Sequence, residues 1–186
     1  MIAVNVAQLL RAQVGTFRSY EFSEQEPDLT AELNLRSPIE GRVKLTRTPR
    51  GILAEVAYHV ALEQECGRCL EPVRTELDSQ FSEEYIATTN VLTGQPSAVT
   101  AEAEEQTISP NHELDLTDAI RQDIVVQQPL QPLCGAECAG LCLTCGADLN
   151  RVACNHEAAA HADEQPLGRL GELLKQQLPP EAQARN

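Results

Sequence analysis

The sequence predicts an α+β fold: an antiparallel β-meander or partly closed barrel, a few short helices and a cysteine-rich C-terminal segment. Three observations predict it. Apolar and polar residues alternate with a period of two through most of residues 29–85. Stripes of helical spacing stand outside that region, at both ends of the chain and after Asp115. The seven cysteines gather at two places, around residue 67 and between 134 and 154.

The elements follow in order. Asn5 is placed to cap a short helix whose Val6, Leu9 and Leu10 form one stripe. An acidic stretch runs from Glu21 to Asp28. Ala31, Leu33 and Leu35 alternate with Glu32, Asn34 and Arg36 and read as a first strand. Val43 and Leu45 alternate with Arg42, Lys44 and Thr46 in a second, and Pro49-Arg50-Gly51 supplies a turn. Ile52, Ala54, Val56, Tyr58, Val60 and Leu62 share one face of a third strand. Its other face carries Glu55, Glu63, Glu65 and His59, which reads as a solvated histidine. Val73, Thr75, Leu77 and Phe81 mark a fourth strand. Strands with one wet face, joined by short turns, argue for an antiparallel meander.

Residues 87–112 have no period and little to bury, and read as a flexible acidic linker. Asp115 caps a helix that carries Leu116, Ala119, Ile120 and Ile124 and stops before Pro129. A closing amphipathic helix is expected from about Pro166 to Leu178, with Leu167, Leu170, Leu174 and Leu178 on one side and Pro179-Pro180 at its end. The expected division is 1–86 for the first helix and sheet, 87–112 for the linker, and 113–186 for the helix, cysteine-rich segment and closing helix.

Composition excludes several functions. Fourteen basic side chains face 28 acidic ones, a formal charge of −14, the wrong sign for an arm that coats nucleic acid. Three Phe, three Tyr and no Trp are too few for a single-strand binder built on stacking. No window approaches the roughly 18 apolar residues of a membrane span. No basic stretch precedes the first apolar residues, so no secretory signal is expected and a cytoplasmic location is. Against this acidic background Arg36, Arg42, Lys44, Arg47 and Arg50 make a local basic cluster with one acid, Glu40, among them. It reads either as a solvated face or, with Arg68, as a contact for a phosphate backbone.

The cysteines carry the chemistry. Cys66-Gly67-Arg68-Cys69 and Cys142-Leu143-Thr144-Cys145 are both C-x2-C turns, which aim two thiolates at one tetrahedral ion. Cys134 and Cys138 form a C-x3-C pair, and Cys154-Asn155-His156 adds a thiol and an imidazole. These eight ligands suffice for two four-coordinate zinc sites. The preferred partition gives Cys66, Cys69, Cys134 and Cys138 to one site. It gives Cys142, Cys145, Cys154 and His156 to a local zinc knuckle. His161 is an alternative to His156. A site of Cys134, Cys138, Cys142 and Cys145 that leaves Cys66 and Cys69 free also remains open. An iron–sulfur cluster, redox catalysis and disulfides compete. A thioredoxin-type pair opens a helix, however, whereas Cys66 ends a strand; disulfides suit an even cysteine number and a secreted chain. Closed sites leave no open metal position, and no H-E-x-x-H, G-x-S-x-G or phosphate-binding glycine loop is present. The chain is therefore not expected to be an enzyme or to bind a small-molecule substrate.

These motifs together resemble a known family. Cys66-Gly67-Arg68-Cys69-Leu70-Glu71-Pro72 resembles the Cys-x-Arg-Cys-Leu-x-Pro signature of the YceD family. Cys138-Ala139-Gly140-Leu141-Cys142-Leu143-Thr144-Cys145-Gly146, continuing to Leu149-Asn150, is similar to its Cys-x-Gly-Leu-Cys-Pro-x-Cys-Gly-x-x-Leu-Asn. Pro166-Leu167-Gly168-Arg169-Leu170 resembles its closing helix. Leu143 replaces the family's proline, and Cys154-Asn155-His156 stands where Cys-x-Cys is frequent, a change that keeps a metal ligand. The family is named for large ribosomal RNA subunit accumulation. The resemblance implies a non-catalytic factor in ribosome assembly. Its partner is expected to be a large-subunit ribosomal protein, precursor large-subunit RNA, or both. A zinc-dependent redox or metal-sensing interaction protein is the alternative.

Overall fold

The computed structural model describes residues 1–97, 106–154 and 156. The expected closing helix, His161 and residues 98–105 lie outside them. The chain divides into two units, Met1–Gly67 with Glu71–Cys134, and Arg68–Leu70 with Gly135–Asn186.

The first unit is organised by one long hairpin. β4 (Gly51–Glu65) and β5 (Pro72–Ala87) pair antiparallel from Gly51↔Ile86 to Glu65↔Pro72. At strand rise this ladder is about 50 Å long. The period of two explains it, because Ile52, Ala54, Val56, Tyr58, Val60 and Leu62 are all buried on one side. Gly51 has to be glycine, since a Cβ there would lie 1.8 Å from the Tyr85 carbonyl oxygen. β3 (Ile39–Arg47) pairs with β4, and β2 (Phe17–Glu24) pairs with β3, both antiparallel. β6 (Thr107–Ile108) adds a short parallel pairing to β5 and completes a five-stranded sheet in the order β2-β3-β4-β5-β6. β1 (Ala3–Asn5) and β7 (Glu113–Asp115) form a separate two-stranded sheet.

The core lies on one face of the large sheet. Leu9 and Leu10 come from α1 (Ala7–Leu10), Leu29 and Leu33 from α2 (Pro27–Leu33), and Ile120 and Ile124 from α3 (Thr117–Gln127). Each fully buried aliphatic side chain stabilises the unit by about 1.5–3 kcal/mol. Tyr58 anchors α3 to the sheet: its hydroxyl donates to Asp123 Oδ2 at 2.7 Å, and its ring meets Phe81 edge-on. Asn5 Oδ1 accepts from the Ala7 N–H and Asp115 Oδ1 from the Thr117 N–H, but each stands one residue before the observed cap, Val6 and Leu116, neither of which makes a side-chain capping bond.

Three expectations are corrected. The meander is present in β2 to β5, but the sheet is open, with β2 and the two-residue β6 at its edges; it is not a partly closed barrel. The strand expected at 31–35 is instead α2. Leu33 fits both spacings, but Leu29 lies four residues before it and both are buried. Pro27 opens the helix and Asn34, at φ 53°, closes it in the left-handed region. The acidic stretch from Glu21 to Asp28 is divided: Glu21 and Glu24 lie in β2, an edge strand whose Tyr20 and Phe22 are half-buried, and Asp28 lies in α2. Within residues 87–112, β6 places Ile108 in the core at 2% exposure.

Candidate metal centres

Eight donor residues fall into two groups, Cys66, Cys69, Cys134 and Cys138, and Cys142, Cys145, Cys154 and His156. Within each group one donor atom per residue lies within 4.8 Å of all the others. A tetrahedron of zinc–sulfur bonds of about 2.3 Å has corners about 3.8 Å apart, so both groups are compatible with a four-coordinate soft cation. Either group could hold a metal ion.

In the first unit the register of β4 and β5 brings the chain round at Cys66, whose N–H donates to the Glu71 carbonyl at 2.8 Å. The neighbouring Gly67 N–H donates to the Pro132 carbonyl at 2.8 Å, and the Cys134 N–H to Cys66 Sγ at 3.4 Å. Cys66 and Cys134, 68 positions apart in sequence, are thereby set side by side, and an N–H aimed at sulfur stabilises a thiolate. Cys66 is completely buried.

The second unit is built from turns. The Cys142 N–H donates to the Ala147 carbonyl at 2.8 Å, and the Gly146 N–H returns to the Cys142 carbonyl at 2.8 Å. This reversal requires Gly146 at φ 72°. The Leu149 N–H reaches the Gly140 carbonyl at 2.9 Å, and Gly140 at φ 76° approaches Arg68 so closely that a Cβ would lie 3.1 Å from its carbonyl oxygen. His156 Nδ1 stands 3.9 Å from Cys142 Sγ. The backbone N–H groups of Cys145 and Thr144, and then the Cys154 thiol, hold the Cys142 thiol down at about 6. The Cys154 thiol is pushed up because it bonds to Cys142 and loses water contact. In a metal complex both sulfurs bind as thiolates.

Asn150 supports this second unit in a way the spacing of cysteines does not reveal. Its Oδ1 accepts from the Ala139 N–H at 2.8 Å and its Nδ2 donates to Cys138 Sγ at 3.4 Å. Its place directly after Leu149 in the quoted motif is the one sequence signal for it. Arg68 donates to the carbonyls of Cys138 and Ala136 at 2.9 and 3.3 Å.

The basic residues are largely engaged. Arg36 pairs with Glu63 at 2.6 Å, Lys44 with Glu55 at 2.7 Å, and Arg50 with Glu84 at 3.7 Å. Arg47 donates to the carbonyls of Leu10, Gly51 and Thr48. Arg42 is exposed on β3 and makes no ion pair among the described residues. His59 lies between Asp78 at 3.0 Å and Glu76 at 3.3 Å on the exposed sheet face. No helix among the described residues is long and apolar enough to cross a membrane.

The chain is an α+β protein with an open sheet and two cysteine-rich groups, each of which could hold a metal ion. The chain belongs to the family described as Large ribosomal RNA subunit accumulation protein YceD, whose model matches residues 54–174. The match begins inside β4 and takes in all eight donors. That family is named for accumulation of an RNA and not for a reaction. The chain is also similar to uncharacterized proteins of Mycobacterium bovis and of two Mycobacterium tuberculosis strains. Each is 27% identical over 153 residues, covering 80% of this chain and 70% of the relative. No solved structure matches it.

Proposed function

We propose that this protein is a non-catalytic, zinc-binding factor that promotes large-subunit ribosomal RNA accumulation by binding a basic ribosomal protein of the large subunit in the cytoplasm. The family match carries the reading. The zinc assignment is supported by sulfur-rich donor sets. Cys66, Cys69, Cys134 and Cys138 offer four sulfurs; Cys142, Cys145, Cys154 and His156 offer three sulfurs and one imidazole nitrogen. Four protein ligands at each site leave no open position for a reacting water, which favours a structural role. A protein partner is favoured over RNA by charge. The formal charge is −14, and carboxylates neutralise Arg36, Lys44 and Arg50.

The test is capture of the tagged protein from cells grown without overexpression, with protein and RNA both identified, alongside the ratio of large- to small-subunit RNA in a deletion strain. A large-subunit protein retained after nuclease treatment, with a lowered ratio, is expected. Loss of all partners on nuclease treatment would move the contact to RNA, with Arg42 as the first residue to change. An unchanged ratio at several temperatures would remove the ribosomal role. Seven titratable thiols in the native protein would instead point to a redox or metal-sensing protein.

A further inference from the structure

A cavity of about 250 Å³ opens at the end of the large sheet where β3 turns into β4. It is lined by Arg11, Arg47 and Arg50 and by the polar side chains of Thr89, Asn90 and Ser97, and among the described residues no aspartate or glutamate lines it. That composition is unusual for a chain whose acidic residues outnumber its basic ones two to one. Two of the three guanidiniums lack a compensating charge. Arg11 Nη2 donates to the Val91 carbonyl at 3.5 Å and Arg47 only to carbonyls, so among the described residues neither meets a carboxylate. A carbonyl fills a hydrogen-bonding site but leaves the cation's charge uncancelled. Burial also pulls the Arg47 guanidinium below the usual arginine range, the response of a charge removed from water without a partner.

We propose that this cavity is an anion site for a phosphate group, with Arg11 and Arg50 at its rim and Arg47 at its base. Planar guanidiniums match phosphate oxygens in pairs, and hydroxyl and amide side chains supply further donors. Arg11 belongs to none of the residues that the charge pattern of the sequence marks, because it lies 25 positions before Arg36, where the basic cluster begins. The helix α1 carries it there, since Arg11 caps the C-terminal end of α1 while Arg47 ends β3. The proposal does not rest on the ribosomal-protein reading, and its test does not depend on that partner.

Amide shifts of the full-length protein would be followed while titrating inorganic phosphate, adenosine monophosphate and a single-stranded RNA oligomer in parallel. Saturable shifts at Arg50, Asn90 and Ser97 are expected with at least one probe. The Arg11→Gln/Arg50→Gln variant should weaken that binding by about tenfold or more, the loss carried by one charge-assisted hydrogen bond. Arg74→Gln removes an exposed charge near the opposite end of the β4–β5 ladder and should leave binding unchanged. Binding of the two small probes assigns a soluble phosphate ester, and binding of the oligomer alone assigns the RNA backbone. Arg47 is left intact in these variants because it also holds the β3–β4 turn. Absence of saturable shifts with all three probes overturns the proposal. So does equal weakening by Arg74→Gln, which would mean general charge attraction.

Discussion

Replacing Cys145 by serine is expected to release one metal per chain and unfold the segment from Cys142 to Cys154, leaving the sheet of the first unit folded. The magnitude follows from burial. Between Gly135 and Cys154 the buried residues are Cys138, Gly140 and Cys142, while Leu143 and Val152 are 79% and 58% exposed. No aliphatic side chain is buried there to offset an ordering cost of about 1–2 kcal/mol per residue. A structural zinc ion supplies about 10–16 kcal/mol, on a scale no other interaction in this segment approaches. Turn hydrogen bonds at 2.8–2.9 Å, from Cys142, Gly146 and Leu149, contribute about 1 kcal/mol each only while the turns exist. Elemental analysis would count the metal, and amide exchange at Gly146 and Leu149 would report the turns. Amides of β4 should keep their protection, because Val60 and Leu62 are completely buried in the apolar core. A folded variant with full metal content would refute the ligand assignment. Loss of metal with Gly146 and Leu149 still protected would refute the claim that metal replaces a core.

The Cys66→Ser variant should lose one metal and retain the one bound by Cys142, Cys145, Cys154 and His156; retention of both would return the alternative site of Cys134, Cys138, Cys142 and Cys145. Burial raises the Tyr58 and Tyr85 hydroxyls above the ordinary tyrosine value of 10.0. The folded state therefore keeps protons the unfolded chain has lost, so this stability is complete below about pH 10 and falls as pH climbs beyond it. Denaturant midpoints across that range should show the decline, and a flat profile would contradict it. Gly51→Ala would press a methyl group on the Tyr85 carbonyl and should cost about 1–3 kcal/mol, read as a lowered midpoint with unchanged slope.

Much of this protein was determined by sequence alone. The period of two marked β3, β4 and β5, because a strand with one buried face leaves that imprint whatever it pairs with. The stripe of Leu116, Ala119, Ile120 and Ile124 did the same for α3. Cysteine spacing singled out the residues that gather into two groups able to hold a metal ion, since a C-x2-C turn is local geometry. Other features depended on partners distant in the chain. β1 and β7 are three residues each and exist as strands because Ala3 meets Asp115. β2 carries too little apolar signal to declare itself and is a strand because β3 offers it an edge. At 31–35 alternation and helical spacing shared Leu33, and the tie was broken by where the core lay. The fate of the basic residues was likewise tertiary. Sequence shows Arg36, Lys44 and Arg50 clustered, but only folding brings Glu63, Glu55 and Glu84 against them and leaves Arg11 and Arg47 facing a cavity that no acid among the described residues lines. Charge along a chain is a count, whereas charge in a fold depends on which carboxylates the strand register sets opposite.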